Sequence, residues 1–321
     1  MILLYGLTLI GLVVYSYSQI DLNLTLFSHP VFLQFQNLMI QLGYFNRPFS
    51  AVVFVVILLL LFIGYWRLVI SHWSLVVGVI GLLALLSYPF LSHDFFNYMF
   101  DARIVTTYGQ NPYFLKALYF PADTWIRFMH WTHRTYPYGP FWLILTLVPS
   151  LLGFGKFVLT LLNFKLLFVA AYVGCCYTIN KLNPSGLKFF ALNPLILIEG
   201  LFSPHLDLVM LFFAILAIYK NPLYMVLSIG IKYATVLLAP LLFFKNKPWF
   251  VNSLIIAGYC GAVFQILSRE LLPHYFLVPI GLTALSNSKK WQYLAVLISF
   301  ILLLVRYVPY LYSGQWYTFH I

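Results

Sequence analysis

Apolar runs follow one another along this chain with so few charges between them that no water-facing surface can be assembled. Charged side chains make up 8% of the sequence and hydrophobic ones 63%, against roughly 25% and 45–50% in a soluble globular domain. Folded in water, 321 residues of this composition would leave most of their surface apolar, which excludes a soluble enzyme. The formal net charge is +11, but the basic residues stand singly between apolar runs and form no stripe that could track a phosphate backbone, so no nucleic-acid partner is expected. Aromatic residues at 20% rule out a disordered chain. What remains is an all-α, polytopic transmembrane protein.

The apolar segments fall at 2–17, 50–66, 72–91, 140–153, 157–179, 188–203, 207–219, 222–231, 233–244, 249–268, 274–285 and 291–305, giving about 10–12 helices. Several are shorter than the ~20 residues needed to cross the hydrocarbon core. Asn193-Pro194, Ser203-Pro204, Asn221-Pro222, Pro240 and Pro273 break the pattern. Broken helices at membrane depth are tolerated where they are buried in protein or line a wet cavity, so a polar cavity opening to one face is expected. The first segment lacks a basic n-region and a clear small-x-small cleavage site, which favours a retained helix over a cleaved signal. Cys175 and Cys176 are adjacent in one apolar run and Cys260 lies in another, a pattern that fits neither a disulfide framework nor a metal site.

Arg67, Lys181, Lys188, Lys220, Lys245, Lys247, Lys289 and Lys290 sit at segment ends that can share one face, which the positive-inside rule makes cytoplasmic. The loop 92–139 is then outside. The parity holds if 140–153 is re-entrant or interfacial rather than crossing. The outer face collects Asp94, Asp101, Arg103, Arg127, His130, His133, Arg134, His205, Asp207, Lys232, Arg269, Glu270 and His274, so the chemistry is expected there. No Gly-rich phosphate loop, G-x-S-x-G elbow or H-E-x-x-H motif occurs. No stretch could form a soluble nucleotide-sugar domain, and the absence of repeated halves argues against a secondary transporter.

Seven acids exist: Asp21, Asp94, Asp101, Asp123, Glu199, Asp207 and Glu270. Asp94 follows the apolar run 72–91 among aromatics, a partly desolvated position that suits a general base. The other role open to it is to cap the helix that runs through Asp101. Asp94, Asn97 and Asp101 share one helix face, but the two acids stand ~10 Å apart along the axis, too far to share a proton. Asp101 is therefore expected to pair with Arg103 or Arg134. His130 and His133 have metal-ligand spacing without a nearby carboxylate. Ionisable groups at membrane depth are functional candidates, which singles out Glu199, His205, Asp207 and Lys232, the lysine needing Glu199, Asp207 or a ligand phosphate as partner. Arg134, Lys232, Arg269 and His205, with His274, form a basic set suited to an anionic lipid head group. Snorkelling to lipid phosphate is the expected role of Arg47 and Arg306.

In its order of motifs the chain resembles the GT-C superfamily of membrane glycosyltransferases, in particular the mannosyltransferase-like branch that uses polyprenyl-phosphate sugars. The residues carrying the resemblance are Asp94, Tyr98, Asp101-Ala102-Arg103, Gly109, Asn111-Pro112-Tyr113, Tyr136-Pro137-Tyr138-Gly139-Pro140, Asn193-Pro194-Leu195 to Glu199, His205-x-Asp207 and Lys232-Tyr233. They span roughly 72–247, between N-terminal helices at 1–71 and C-terminal helices at 248–321. The resemblance implies a hexosyltransferase, moving mannose from a polyprenyl-phosphate sugar to a lipid- or glycan-linked acceptor at the outer face of a bacterial or archaeal membrane. Asp94 would be the base of an inverting displacement. Asp101, Arg103, Tyr113, His133, Arg134, Tyr136, His205, Asp207, Lys232, Arg269 and His274 would surround the substrates. Relatives often carry Asp-x-Asp where this chain has Ser92-His93-Asp94, so no metal cofactor is expected. The readings from other classes are a lipid-linked-sugar flippase and a scaffold subunit that would tolerate loss of Asp94.

Overall fold

The computed structural model describes residues 1–68, 72–244, 247–268 and 270–316; Lys245 and Arg269, both singled out above, lie outside them. The described residues are helical, with no strands among them. In chain order the helices are α1 (Ile2–Ser16), α2 (Pro30–Ile40), α3 (Arg47–Arg67), α4 (Trp73–Leu86), α5 (Asp94–Thr106), α6 (Pro140–Leu151), α7 (Phe157–Leu182), α8 (Leu187–Leu192), α9 (Asp207–Tyr219), α10 (Leu223–Ile231), α11 (Leu241–Phe244), α12 (Pro248–Ser268), α13 (Leu277–Leu285) and α14 (Lys289–Ser313). Among the described residues five helices are long and apolar enough to cross a membrane, or six if the bent pair 184–192 and 196–202 counts as one. Leu59, Ile63, Leu166, Val263, Phe264, Leu297 and Ile301 are exposed on these helices, a perimeter only lipid can cover. The protein is integral to the membrane. One hydrophobic core runs through it from Tyr5 to Leu311.

The predicted breaks are real. At Asn193-Pro194 the chain bends by 69°. The Asn193 side chain accepts from the amides of Leu195 and Ile196, and the chain continues as a wide π-helical turn over Ile196–Phe202 that ends at Ser203-Pro204. α6 has 12 residues, too few to cross alone. It lies beside α5 and runs parallel to it, since Tyr98 packs on Trp142 and the Thr106 hydroxyl bonds that of Ser150. α2 was not foreseen: Gln34, Gln36 and Asn37 interrupt its apolar run, while His29 caps it and Pro30 opens it.

Two ends of the bundle differ in chemistry. At one, Lys188 donates to the Leu68 carbonyl (2.7 Å) and Lys289 to that of Ser185 (3.3 Å), while Asn183 donates to the carbonyls of Ala284 and Ser286. Two of the lysines expected on a common face, Lys188 and Lys289, therefore share this end. The other end holds the loop 107–139 and the starts of α5 and α9. Buried Lys165 of α7 donates to the Ser87 carbonyl (2.8 Å), placing a hydrogen-bond donor at the C-terminus of α4 and fixing the segment that leads to Asp94.

Candidate active site

Asp94 stands at the first position of α5, and the cap position belongs to His93. The Asp94 amide donates to Ser92 Oγ (3.2 Å), so the expected capping role is not the one its carboxylate takes. That carboxylate is one-fifth exposed, and its Oδ1 accepts from Trp131 Nε1 at 3.0 Å. Oδ2 is left facing His205 Nε2 at 3.8 Å. The Ser203-Pro204 break makes this meeting possible: Ser203 Oγ accepts from the Leu91 amide (3.0 Å), tying the segment before Asp94 to the one before His205.

Asp94 and His205 open onto a cavity of about 430 Å³, whose wall includes His130, Trp131, Glu270, His274, Arg306, Tyr307 and Trp316. Behind His205 lies Glu199, fully buried in the π-helical turn, with Oε2 3.3 Å from His205 Nδ1 and Oε1 accepting from Tyr307 at 2.5 Å. Arg306 is not a snorkelling residue: it is buried, faces the cavity, pairs with Glu270 at 3.2 Å and lies over the Trp316 ring. Arg47 likewise sits over the Tyr44 ring, with Nη1 buried in protein. Protein partners decide both: Glu270 and the Trp316 ring for Arg306, the Tyr44 ring for Arg47.

Asp94, His205 and His274 each offer a ligand atom within 4.8 Å of the others. The two imidazoles, however, stack with planes 15° apart and centroids 4.1 Å apart. An ion about 2.1 Å from a histidine nitrogen lies near the plane of that ring, and two nearly parallel planes do not meet at such a point. In this arrangement the pair stacks and does not chelate.

A second hollow of about 300 Å³ lies beside the first, with His274 walling the one and Tyr275 the other. At its head Lys232 pairs with Asp207 at 2.8 Å, which identifies the lysine's partner. Its flank is an apolar groove along Ala257, Gly258, Gly261 and Ala262 of α12.

The other expected site residues are elsewhere. Arg103 pairs not with Asp101 but with Asp123 (2.6 Å), which also accepts from Tyr108 (2.7 Å). Burial alone would raise the Asp123 carboxyl, but these hydrogen bonds and the Trp125 amide hold it below its usual range. Asp101 and Arg134 line a small cleft behind Trp131, with Arg134 over the indole ring and no ion pair closed between them. Tyr113 donates to the Tyr138 carbonyl (3.0 Å) and packs edge-on against Tyr136, holding the loop together outside the cavity wall. His133 is exposed. Sequence reading missed Trp131, Arg306, Tyr307 and Trp316 as site residues, and did not connect Glu199 and Glu270 to it.

Burial pushes the Asp101 carboxyl up to about 7, more than nearby Arg134 offsets. Because the folded state then holds this proton more tightly than the unfolded chain, whose Asp titrates near ~4, stability falls as pH rises from about 4 to about 7. Wild type in detergent should lose several degrees of melting temperature between pH 4.5 and 8, and Asp101→Asn should lose most of that slope. An unchanged slope would show that Asp101 does not carry it.

Residues 26–245 match the family model described as alpha-(1->6)-mannopyranosyltransferase, N-terminal domain. No curated protein and no solved structure matches the chain. The match starts upstream of the region from 72 on that carried the resemblance and takes in α2 and α3, which therefore hold more than hydrophobicity. It includes Asp94, Glu199, His205, Asp207 and Lys232, whereas the cavity wall is completed from beyond it by Glu270, His274, Arg306 and Trp316. More than half the chain lies within the match, and this chain belongs to the alpha-(1->6)-mannopyranosyltransferase family.

Proposed function

We propose that this mannosyltransferase takes mannose from a polyprenyl-phosphate donor and passes it to a lipid- or glycan-linked acceptor at the outer face, with Asp94 as general base. The observation that carries the reading is Asp94 itself: a carboxylate held by one oxygen on Trp131 and open by the other to the cavity. The donor's phosphate is its own leaving group, so the protein need only take the acceptor's proton and stabilise charge on the phosphate. Lys232 stands at the head of an apolar groove, an arrangement suited to a lipid phosphate with its chain laid along α12. Arg306, paired with Glu270, walls the acceptor side. The stacked imidazoles favour a reaction that needs no divalent metal.

The outer face is supported by α14. Arg306 lies about 24 Å along the helix from Lys290 at 1.5 Å per residue, which puts the cavity at the end opposite the lysines. In the family description the product is alpha-linked, and a single displacement reaches it from a β-linked donor.

The test is a nanodisc assay comparing synthetic polyprenyl-phosphate mannose with a nucleotide-linked mannose, with and without chelator. Product from the lipid donor alone, unaffected by chelator, is expected. Product only from the nucleotide sugar, or movement of intact lipid donor across the bilayer without transfer, would overturn the reading.

A further inference from the structure

We propose that His205 carries the acceptor's proton onward from Asp94 to the buried Glu199, which Tyr307 holds, making residues 94, 205 and 199 a relay that keeps the proton off the base until the product has left. The proposal rests on Asp94 being the base. Its ground is the placement of one imidazole between two carboxylates that have no other link: Oδ2 of Asp94 lies 3.8 Å from Nε2, and Oε2 of Glu199 lies 3.3 Å from Nδ1.

The distances indicate where the ring carries its proton. Nδ1 has two acceptors at hand, the Glu199 carbonyl at 3.2 Å and its Oε2 at 3.3 Å. A proton on Nδ1 serves that side and leaves Nε2 presenting a lone pair to Asp94. A lone pair and a carboxylate do not attract, and the 3.8 Å separation is longer than a hydrogen bond. Once Asp94 has taken a proton, its O–H becomes a donor and the gap can close.

The step balances. The acceptor O–H bond breaks as its oxygen bonds the sugar's anomeric carbon, and the bond from that carbon to the phosphate oxygen breaks with its electron pair left on the phosphate. The proton goes to Asp94 and then to Nε2, while the Nδ1 proton goes to Glu199 Oε2. Once the product has left, the path runs in reverse and Asp94 gives the proton to water in the cavity it lines, which returns the ring to its Nδ1 proton and Glu199 to its carboxylate. That oxygen is buried with no hydrogen bond of its own, whereas Oε1 is taken by Tyr307.

The charged and titratable groups around the ring fit a transient imidazolium. Asp94 of α5 and Glu199 of the π-helical turn flank it, and His274 stacks on it from the Pro273–Phe276 turn. Arg306 of α14 stands opposite with its charge taken up by Glu270, and Lys232 has its charge taken up by Asp207. Tyr307 completes the set.

Because His205 acts through Asp94, it is a positioning and relay residue, and the test must separate this from support of the fold. His205→Ala in nanodiscs is expected to lower kcat about 100-fold, with KM for donor and acceptor within twofold. Added imidazole, entering from the cavity that His205 lines, should restore at least tenfold. Glu199→Gln should lower kcat similarly and show no imidazole response. An independent readout is the nitrogen NMR spectrum of labelled histidine in wild type, where His205 should carry its proton on Nδ1. Full activity in His205→Ala, loss without rescue in a variant that melts like wild type, or a proton on Nε2 would each overturn the relay. A wild type that transfers no mannose from the lipid donor would instead overturn the reading of Asp94.

Discussion

Asp94→Asn should lower mannose transfer by about 10³-fold while the variant expresses, inserts and melts like wild type. The substitution keeps the size of the side chain and an oxygen for the Trp131 indole, so the contact at 3.0 Å survives. The start of α5 survives too, because Ser92 Oγ serves the Asp94 amide and the cap position is His93. What disappears is the only means this side chain has of taking a proton. Initial rates with labelled donor, read beside melting temperatures in the same nanodiscs, check the expectation. A variant that unfolds would assign Asp94 a structural role, and one that transfers normally would leave the base elsewhere.

The second large effect concerns stability. Lys232→Met removes the cation that neutralises Asp207, whose side chain is only 6% exposed. A carboxylate stranded in that position costs about 3–5 kcal/mol, so the single variant should melt far below wild type. Pairing it with Asp207→Asn removes the stranded charge, and the double variant should regain most of the lost stability. It should not regain affinity for the lipid donor, because no cation then stands at the head of the groove. Melting temperatures and donor KM across the four-protein cycle separate the two contributions. Donor binding restored along with stability would place the donor phosphate away from Lys232.

Much of this was legible in the sequence because it is local. Asn193-Pro194 and Ser203-Pro204 announce a broken helix through the missing amide of proline, and the bend and the π-helical turn occur there. The scarcity of acids pointed to Asp94 and Asp207, and His205 lies two residues from the latter; the cavity and the adjoining hollow hold all three. The long-range partners were not legible. Nothing near Arg306 in sequence tells a lipid-facing arginine from one that meets Glu270, 36 residues away, across a cavity. Arg103 lies two residues from Asp101, yet the two point to different sides of α5 and Arg103 meets Asp123 instead. Trp131 read as one more interfacial aromatic, and only its indole donor on Asp94 marks it out.

The most direct measurement is the anomeric configuration of the product formed by wild type from a synthetic β-linked polyprenyl-phosphate mannose, read by NMR from the one-bond carbon–proton coupling. A single displacement with Asp94 as base must give an α-linked product. A β-linked product would mean that the configuration is retained, which a single displacement from the opposite face cannot give, and would contradict the role assigned to Asp94.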